Sequence, residues 1–149
     1  MIAIACDHGA VDMKNEIKAM LDEMGESYID FGTDTTASVD YPEYAYKAAQ
    51  AVVSGECDFG ILMCGTGIGM SLAANKVKGI RCALCGDTYS AKMCRAHNNA
   101  NMMAMGARVI GTELAKCIVK EFLSTPFEGG RHARRVDMIM AIESGRAPK

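Results

Sequence analysis

Asp58-Phe-Gly-Ile-Leu-Met-Cys64-Gly-Thr-Gly-Ile-Gly-Met-Ser71 reads as a buried strand, a glycine turn and the opening of a helix. Ile61, Leu62 and Met63 form the short apolar run of a strand covered on both faces. Gly65, Gly67 and Gly69 break that run, with Thr66 and Ile68 between them, and Ser71-Leu-Ala-Ala-Asn75 resumes as a short helix. A glycine loop feeding a helix N-terminus leaves backbone N–H groups free to face an anion, and the helix dipole reinforces them. Cys64 sits at the lip of this loop, where the same amides and dipole favour a thiolate. A cysteine at a strand end is ordinarily a small buried hydrophobe. Here the thiol, the oxyanion-type loop and the His and Arg clusters elsewhere in the chain combine to point toward chemistry.

Upstream of that stretch, Ile2–Cys6 reads as a first strand and Asp7-His8-Gly9 closes it. A helix is expected from Ala10 to Met24, with Ile17, Met20, Leu21 and Met24 as its apolar stripe and Gly25 as its C-cap. Tyr28–Phe31 is a short second strand, followed by a polar loop to Asp40. Pro42 fits the first turn of a helix that carries Ala45, Ala48, Ala49 and Val52 and stops at Gly55. Downstream, Ile80–Cys85 is a fourth strand, and Asp87 caps a helix bearing Tyr89, Met93 and His97. A fifth strand lies within Met102–Ile110, around Gly106. Thr112 is expected to cap an amphipathic helix with Leu114, Ala115, Ile118, Val119 and Phe122, and a last helix runs from Arg131 to Ser144. Strands alternating with helices imply an α/β fold, a three-layer Rossmann-like sandwich around a five-stranded parallel sheet. Ligands of such sheets bind beyond the C-terminal strand ends, which is where Asp7, His8 and Cys64 fall.

The 149 residues make a single domain, 1–149, half hydrophobic and with a net charge of −2. No basic stretch is interleaved with aromatics, which argues against nucleic acid. No apolar run is long enough for a bilayer. The N-terminus enters a strand without a basic region or cleavage site, so no signal peptide is expected. Seven cysteines are an odd number, read as reduced thiols of a cytoplasmic protein, and the twelve methionines as core filler.

Three further groups could carry chemistry. Asp7-His8 ends a buried strand ahead of a glycine. Arg131 and Arg135, spaced i, i+4, share a helix face flanked by His132 and Arg134; they are either a solvated basic face or a phosphate clamp. His97, ahead of Asn98 and Asn99, can answer the helix dipole or act as a general acid. Cys82-Ala-Leu-Cys85 has metal-like spacing, but inside a strand its side chains point to opposite faces. Cys94 and His97 form a single pair, and Cys6, Asp7 and His8 would need partners from elsewhere. No metal and no cofactor are expected. Gly65-Thr-Gly67-Ile-Gly69 shares part of a dinucleotide fingerprint, but its spacing and its place after the third strand do not fit.

Together, Cys6-Asp7-His8-Gly9, Asp40-Tyr41-Pro42, Cys64-Gly-Thr-Gly-Ile-Gly69, Ala73-Ala-Asn-Lys76, Tyr89-Ser90, His97-Asn98, Gly106-Ala-Arg108-Val-Ile-Gly111 and Gly129-Gly-Arg131-His132 resemble ribose-5-phosphate isomerase type B, in the family shared with galactose-6-phosphate isomerase. The resemblance runs nearly end to end. It implies an aldose–ketose isomerase of the pentose phosphate pathway, with Cys64 as the proton-transferring base and His97 as the acid that opens the sugar ring. It further implies that Asp7, His8, Gly65, Thr66, Gly67, Ile68, Gly69, Asn98, Arg108, Arg131 and Arg135 contact the sugar phosphate. Thr66 can bond a sugar oxygen or assist ring opening. The family forms homodimers or homotetramers with sites at subunit interfaces. One branch uses a Glu farther along the loop; Ser71-Leu-Ala-Ala at that place puts this chain in the Cys branch. A hexose-6-phosphate isomerase (allose or galactose 6-phosphate) is the alternative within the family, and a non-catalytic phosphate- or nucleotide-binding module is the alternative outside it.

Overall fold

The computed structural model describes all of residues 1–149. Five strands and six helices follow one another as β1 (Ile2–Cys6), α1 (Val11–Met24), β2 (Tyr28–Asp30), α2 (Tyr41–Val53), β3 (Phe59–Cys64), α3 (Ile68–Ala74), β4 (Cys82–Leu84), α4 (Thr88–Ala96), β5 (Met102–Gly106), α5 (Thr112–Ser124) and α6 (Arg131–Glu143). Every strand pair is parallel, in the order β2-β1-β3-β5-β4. The expected five-stranded parallel α/β sandwich is therefore the fold observed.

Alternation along the strands divides the interior into two cores. Ile4, Ile61, Met63, Met103 and Met105 face α1, α4 and α5, where Phe122 packs edge-on against Phe59. Ala3, Ala5, Leu62 and Ala104 face α2 and α3. Ala45, Ala48 and Ala49 of α2 meet the small residues of β1 there, and the paired alanines allow a close helix–sheet approach. Cys82 packs in the second core and Cys85 in the first, so the two thiols do face opposite ways.

Several boundaries depart from the sequence reading. Helix α3 begins at Ile68, inside the glycine loop, because Gly67 in the left-handed region (φ +79°) turns the chain three residues early. Thr112 is the first helical residue of α5 rather than its cap; Gly111 is extended, and its carbonyl accepts from the Ala115 N–H. Strand β5 ends at Gly106, where a Cβ would fall 2.6 Å from the Thr66 carbonyl. The buried face of α1 is Met13, Lys14, Ile17, Met20 and Leu21, while Met24 is exposed. Asp87 caps α4 as expected, accepting from the Ser90 N–H at 2.6 Å.

Helix α6 is attached differently from the rest. Only His132 and Val136 are buried on it, and Ile139 and Ile142 are exposed. It is tied at both ends to the N-terminal edge of the sheet. The Glu128 N–H just before it donates to the Ala96 carbonyl, and Glu143 near its end accepts from the Gly79 N–H. No helix is long and apolar enough to cross a membrane.

Candidate active site

Three strand ends meet at the C-terminal edge of the sheet. Cys64 ends β3, 5% exposed, with the Gly67 N–H donating to its Sγ at 3.0 Å. The Thr66 hydroxyl accepts from the Ile68 N–H at 3.2 Å and fixes the loop's last turn. The loop is clasped from the next strand end, where Ala107 and Arg108 donate their N–H groups to the carbonyls of Cys64 and Gly65. The Arg108 guanidinium lies across the glycines: a Cβ on Gly65 would meet it at 3.2 Å, and one on Gly9 would meet it at 3.4 Å and Asp7 Oδ1 at 3.3 Å. A side chain at either position would push the guanidinium aside by a few tenths of an ångström.

Asp7 follows β1, nearly buried; its N–H donates to the Met63 carbonyl and its Oδ1 accepts from the Gly9 N–H. His8 Nδ1 accepts from the Val39 N–H at 3.2 Å, which leaves Nε2 to carry the proton of the neutral ring. A cavity of about 310 Å³ opens beside His8, between the N-termini of α1 and α5, neither of which has a side-chain cap. Asp7, His8, Cys64, Gly65–Gly69 and Arg108 thus gather at the C-terminal edge of the sheet, with Arg108 bridging Gly9 and Gly65. Tyr41 joins them: a Cβ on Gly69 would fall 2.6 Å from its ring. The sequence places Tyr41 in the motif Asp40-Tyr41-Pro42 but assigns it no role at the site, although a third glycine in so short a loop already signals something pressed against it.

His97, Asn98, Arg131 and Arg135 are elsewhere. Helix α4 runs back against the strands, so His97, its C-cap, returns to the N-terminal edge. The chain re-enters the sheet there, where the Asn101 carbonyl accepts from the Gly60 N–H, whereas Cys64 pairs with Gly106 at the other end. The five residues of β5 separate the two levels by about 13–16 Å at the usual rise of a strand. The His97 and His132 rings stack at 4.1 Å with 8° between planes, and Glu128 Oε2 lies 3.8 and 3.5 Å from their Nε2 atoms. Burial, His97 and Arg131 hold His132 below the ordinary histidine pKa, against the pull of Glu128, so its ring is neutral at pH 7. These three residues form the one His/Cys/acid cluster compact enough to suggest a metal. The two ring planes are nearly parallel, so in-plane nitrogens of both rings do not converge on one point, and a ring would have to turn for them to share an ion.

The turn after His97 is braced by two arginines. Arg81 donates to the carbonyls of Asn98 and Asn99, and the buried Arg95 donates to Asn99 Oδ1 and the Ala100 carbonyl while lying over the Phe59 and Phe122 rings. One copy of the chain therefore carries two separate clusters, a thiol-and-loop cluster at one sheet edge and a His/Arg cluster at the other.

Residues 2–139 match the profile of a family described as Ribose/Galactose Isomerase. Ribose-5-phosphate isomerase B of Escherichia coli is 52% identical, over 97% of both chains. D-erythrulose-4-phosphate isomerase of Pectobacterium atrosepticum is 50% identical, over 93% of this chain and 91% of the relative. Among solved structures, ribose-5-phosphate isomerase B of Clostridium thermocellum superposes with a TM-score of 0.95 at 53% identity, covering 97% of both chains.

Proposed function

Since the chain belongs to the ribose/galactose isomerase family and is a sugar-phosphate isomerase, we propose that it interconverts ribose 5-phosphate and ribulose 5-phosphate without a metal, Cys64 acting as base and His97 as ring-opening acid. The observation that carries this reading is the thiol at the end of β3 with the Gly67 N–H aimed at its sulfur and a glycine loop around it. The non-catalytic binding module is set aside, because relatives matching over nearly the whole chain are isomerases.

Ribose 5-phosphate is mostly a closed ring. His97 gives a proton to the ring oxygen as the ring opens, the anomeric hydroxyl releases its own proton to water so that the aldehyde forms, and the Cys64 thiolate then takes the proton from C2. The resulting cis-enediolate carries its charge on O1 beside the loop amides; the O2 proton passes to O1, which moves the charge to O2, and the thiol then returns its proton to C1 to leave the C2 carbonyl of the ketose. Charge passes from sulfur to oxygen within reach of the same N–H groups. One such donor is worth about 100- to 1,000-fold in rate. Arg131 and Arg135 take the phosphate with Arg108 and His8, and Asp7, Asn98 and Thr66 hold the sugar hydroxyls.

His97 and Cys64 lie at opposite edges of one copy, so a second copy supplies the acid and the two arginines in a two-fold dimer. Ile68, Leu72, Leu84, Tyr89 and Val109, all exposed apolar residues, sit around the glycine loop and offer the contact face. Mixing inactive Cys64→Ala and His97→Asn chains tests this: mixed dimers hold one intact site, and exchange to equilibrium restores about a quarter of the wild-type rate. A mixture that stays inactive after proven exchange sinks the shared site.

The sugar itself is tested by comparing kcat/KM across tetrose, pentose and hexose phosphates. The Pectobacterium relative makes a four-carbon phosphate the second reading. Preference for a tetrose or for a hexose 6-phosphate over ribose 5-phosphate replaces the substrate and leaves the reaction type.

A further inference from the structure

Lys14 lies on α1 with its side chain wholly shut off from solvent. Its ammonium donates to Asp30 Oδ1 at 2.9 Å, to the Thr33 carbonyl at 2.7 Å and to Asp34 Oδ1 at 2.7 Å, so each of its three protons has an oxygen. Burial works against the charge, but the bonds to Asp34 and Asp30 outweigh it and the ammonium stays protonated. All three acceptors belong to the end of β2 and the first residues of the connection that follows. That connection is otherwise exposed from Asp34 to Ser38, and then delivers the Val39 N–H to His8 Nδ1 and Tyr41 to Gly69. A segment that fixes two residues of the cleft is thus clamped at its start by one buried cation and at its end by the cleft itself.

We propose that Lys14 is a positioning residue: by anchoring the 33–40 connection it holds Val39 against His8, and so sets the ring orientation and the Nε2–H tautomer that His8 presents to the substrate phosphate. A neutral His8 held this way offers a donor to an anion rather than a lone pair. An apolar side chain at position 14 would leave the Thr33 carbonyl without its ammonium partner and the start of the connection tied only by Cys6 and by the Gly32 N–H to Asp30. The substrate half of this inference rests on the proposed function; the tautomer half does not.

The test is Lys14→Met, with Asp34→Ala as a second variant. The Asp34 side chain is 77% exposed, so its loss spares the core. Two-bond nitrogen–proton spectra of the histidines, with His8→Ala to assign the signal, read the tautomer at about pH 8, above the ordinary histidine range. Wild type shows His8 protonated at Nε2 alone, and Lys14→Met shows a mixture of tautomers. The KM for ribose 5-phosphate rises about tenfold with kcat changed less, as for other residues that act through a neighbour. In a His8→Ala background the same substitution adds less than about twofold, because its route has been removed. Asp34→Ala moves both readouts the same way by a smaller amount, and decides the matter if Lys14→Met does not fold. A wild-type tautomer pattern in the folded variants, or a full tenfold effect in the His8→Ala background, overturns the proposal. Should ribose 5-phosphate not be turned over while another sugar phosphate is, the substrate reading fails and the spectra still judge Lys14.

Discussion

At the scale of single residues, Cys64 is the point on which the proposed chemistry turns. Cys64→Ala is expected to abolish isomerisation while the fold and sugar-phosphate binding survive, since the side chain is small and 5% exposed. Near wild-type kcat in that variant removes Cys64 from the mechanism. Alkylation, protected by substrate, is the companion test, best made in a Cys117→Ser background, because Cys117 is the exposed competitor. Burial pushes Cys6 and Cys82 up to about 12, and both stay unreactive thiols. In deuterated water, ribulose 5-phosphate formed from ribose 5-phosphate should gain deuterium at C1 through exchange on the thiol. Absence of label together with an active Cys64→Ala enzyme excludes proton transfer through sulfur. Arg131→Ala and Arg135→Ala should each cost roughly tenfold or more in kcat/KM, mostly through KM, as loss of a charge-assisted hydrogen bond does. If both treat the substrate as wild type does, the pair is a solvated face. Much at this scale was legible beforehand, because chemistry announces itself in residue type: a thiol before three glycines, Asp-His at a strand end. Lys14 was not, although it continues the helical spacing of Ala10, Ile17 and Leu21. A charged residue within a stripe normally marks its edge, and the carboxylates that permit its burial lie 16 and 20 residues away.

At the scale of elements, the junction of β5 with the glycine loop is the tightest fit. Gly106→Ala puts a methyl group 2.6 Å from the Thr66 carbonyl, against backbone that cannot swing aside. It should cost about 1–3 kcal/mol of stability, read by calorimetry, and lower kcat by moving Thr66. Unchanged stability and rate would show the loop to be far more yielding than its packing implies. The β2–α1 junction has its own pH signature. Burial opposes ionisation of Asp30, yet bonds from Lys18 and Lys14 prevail and hold its carboxyl below the ordinary value. The unfolded chain then binds the proton more readily, so this junction's contribution is present above about pH 4 and is lost as pH falls through the lower folded value. Asp30→Asn should lower stability at neutral pH and flatten its decline in acid; a variant with the wild-type acid profile contradicts this. The elements themselves were readable from periodicity and from punctuation by Gly25, Pro42 and Asp87. Their exact ends were not, because Gly67 and Gly111 shift helix starts through backbone geometry that composition does not encode.

At the scale of the whole molecule, the sequence placed His97, Arg131 and Cys64 in one list but could not place them in space. Strand order and helix direction decide that, and they put the two groups at opposite sheet edges. Activity is expected to survive exhaustive chelation, since in the proposed mechanism the loop amides meet the enediolate charge and the near-parallel His97–His132 rings do not converge on an ion. Loss on chelation, restored by one particular divalent metal, would overturn the metal-free route.

In the shared site proposed above, the separation of the two clusters makes catalysis a collective property: a lone copy would hold half of one reaction centre at each edge and complete neither. Diluted below the dissociation constant of the pair, the protein should lose turnover per molecule, and the rate should climb with about the square of concentration until pairing saturates. Substrate, gripped by both partners at once, should push that threshold downward, so that a cell's supply of sugar phosphate helps to hold together the enzyme that consumes it.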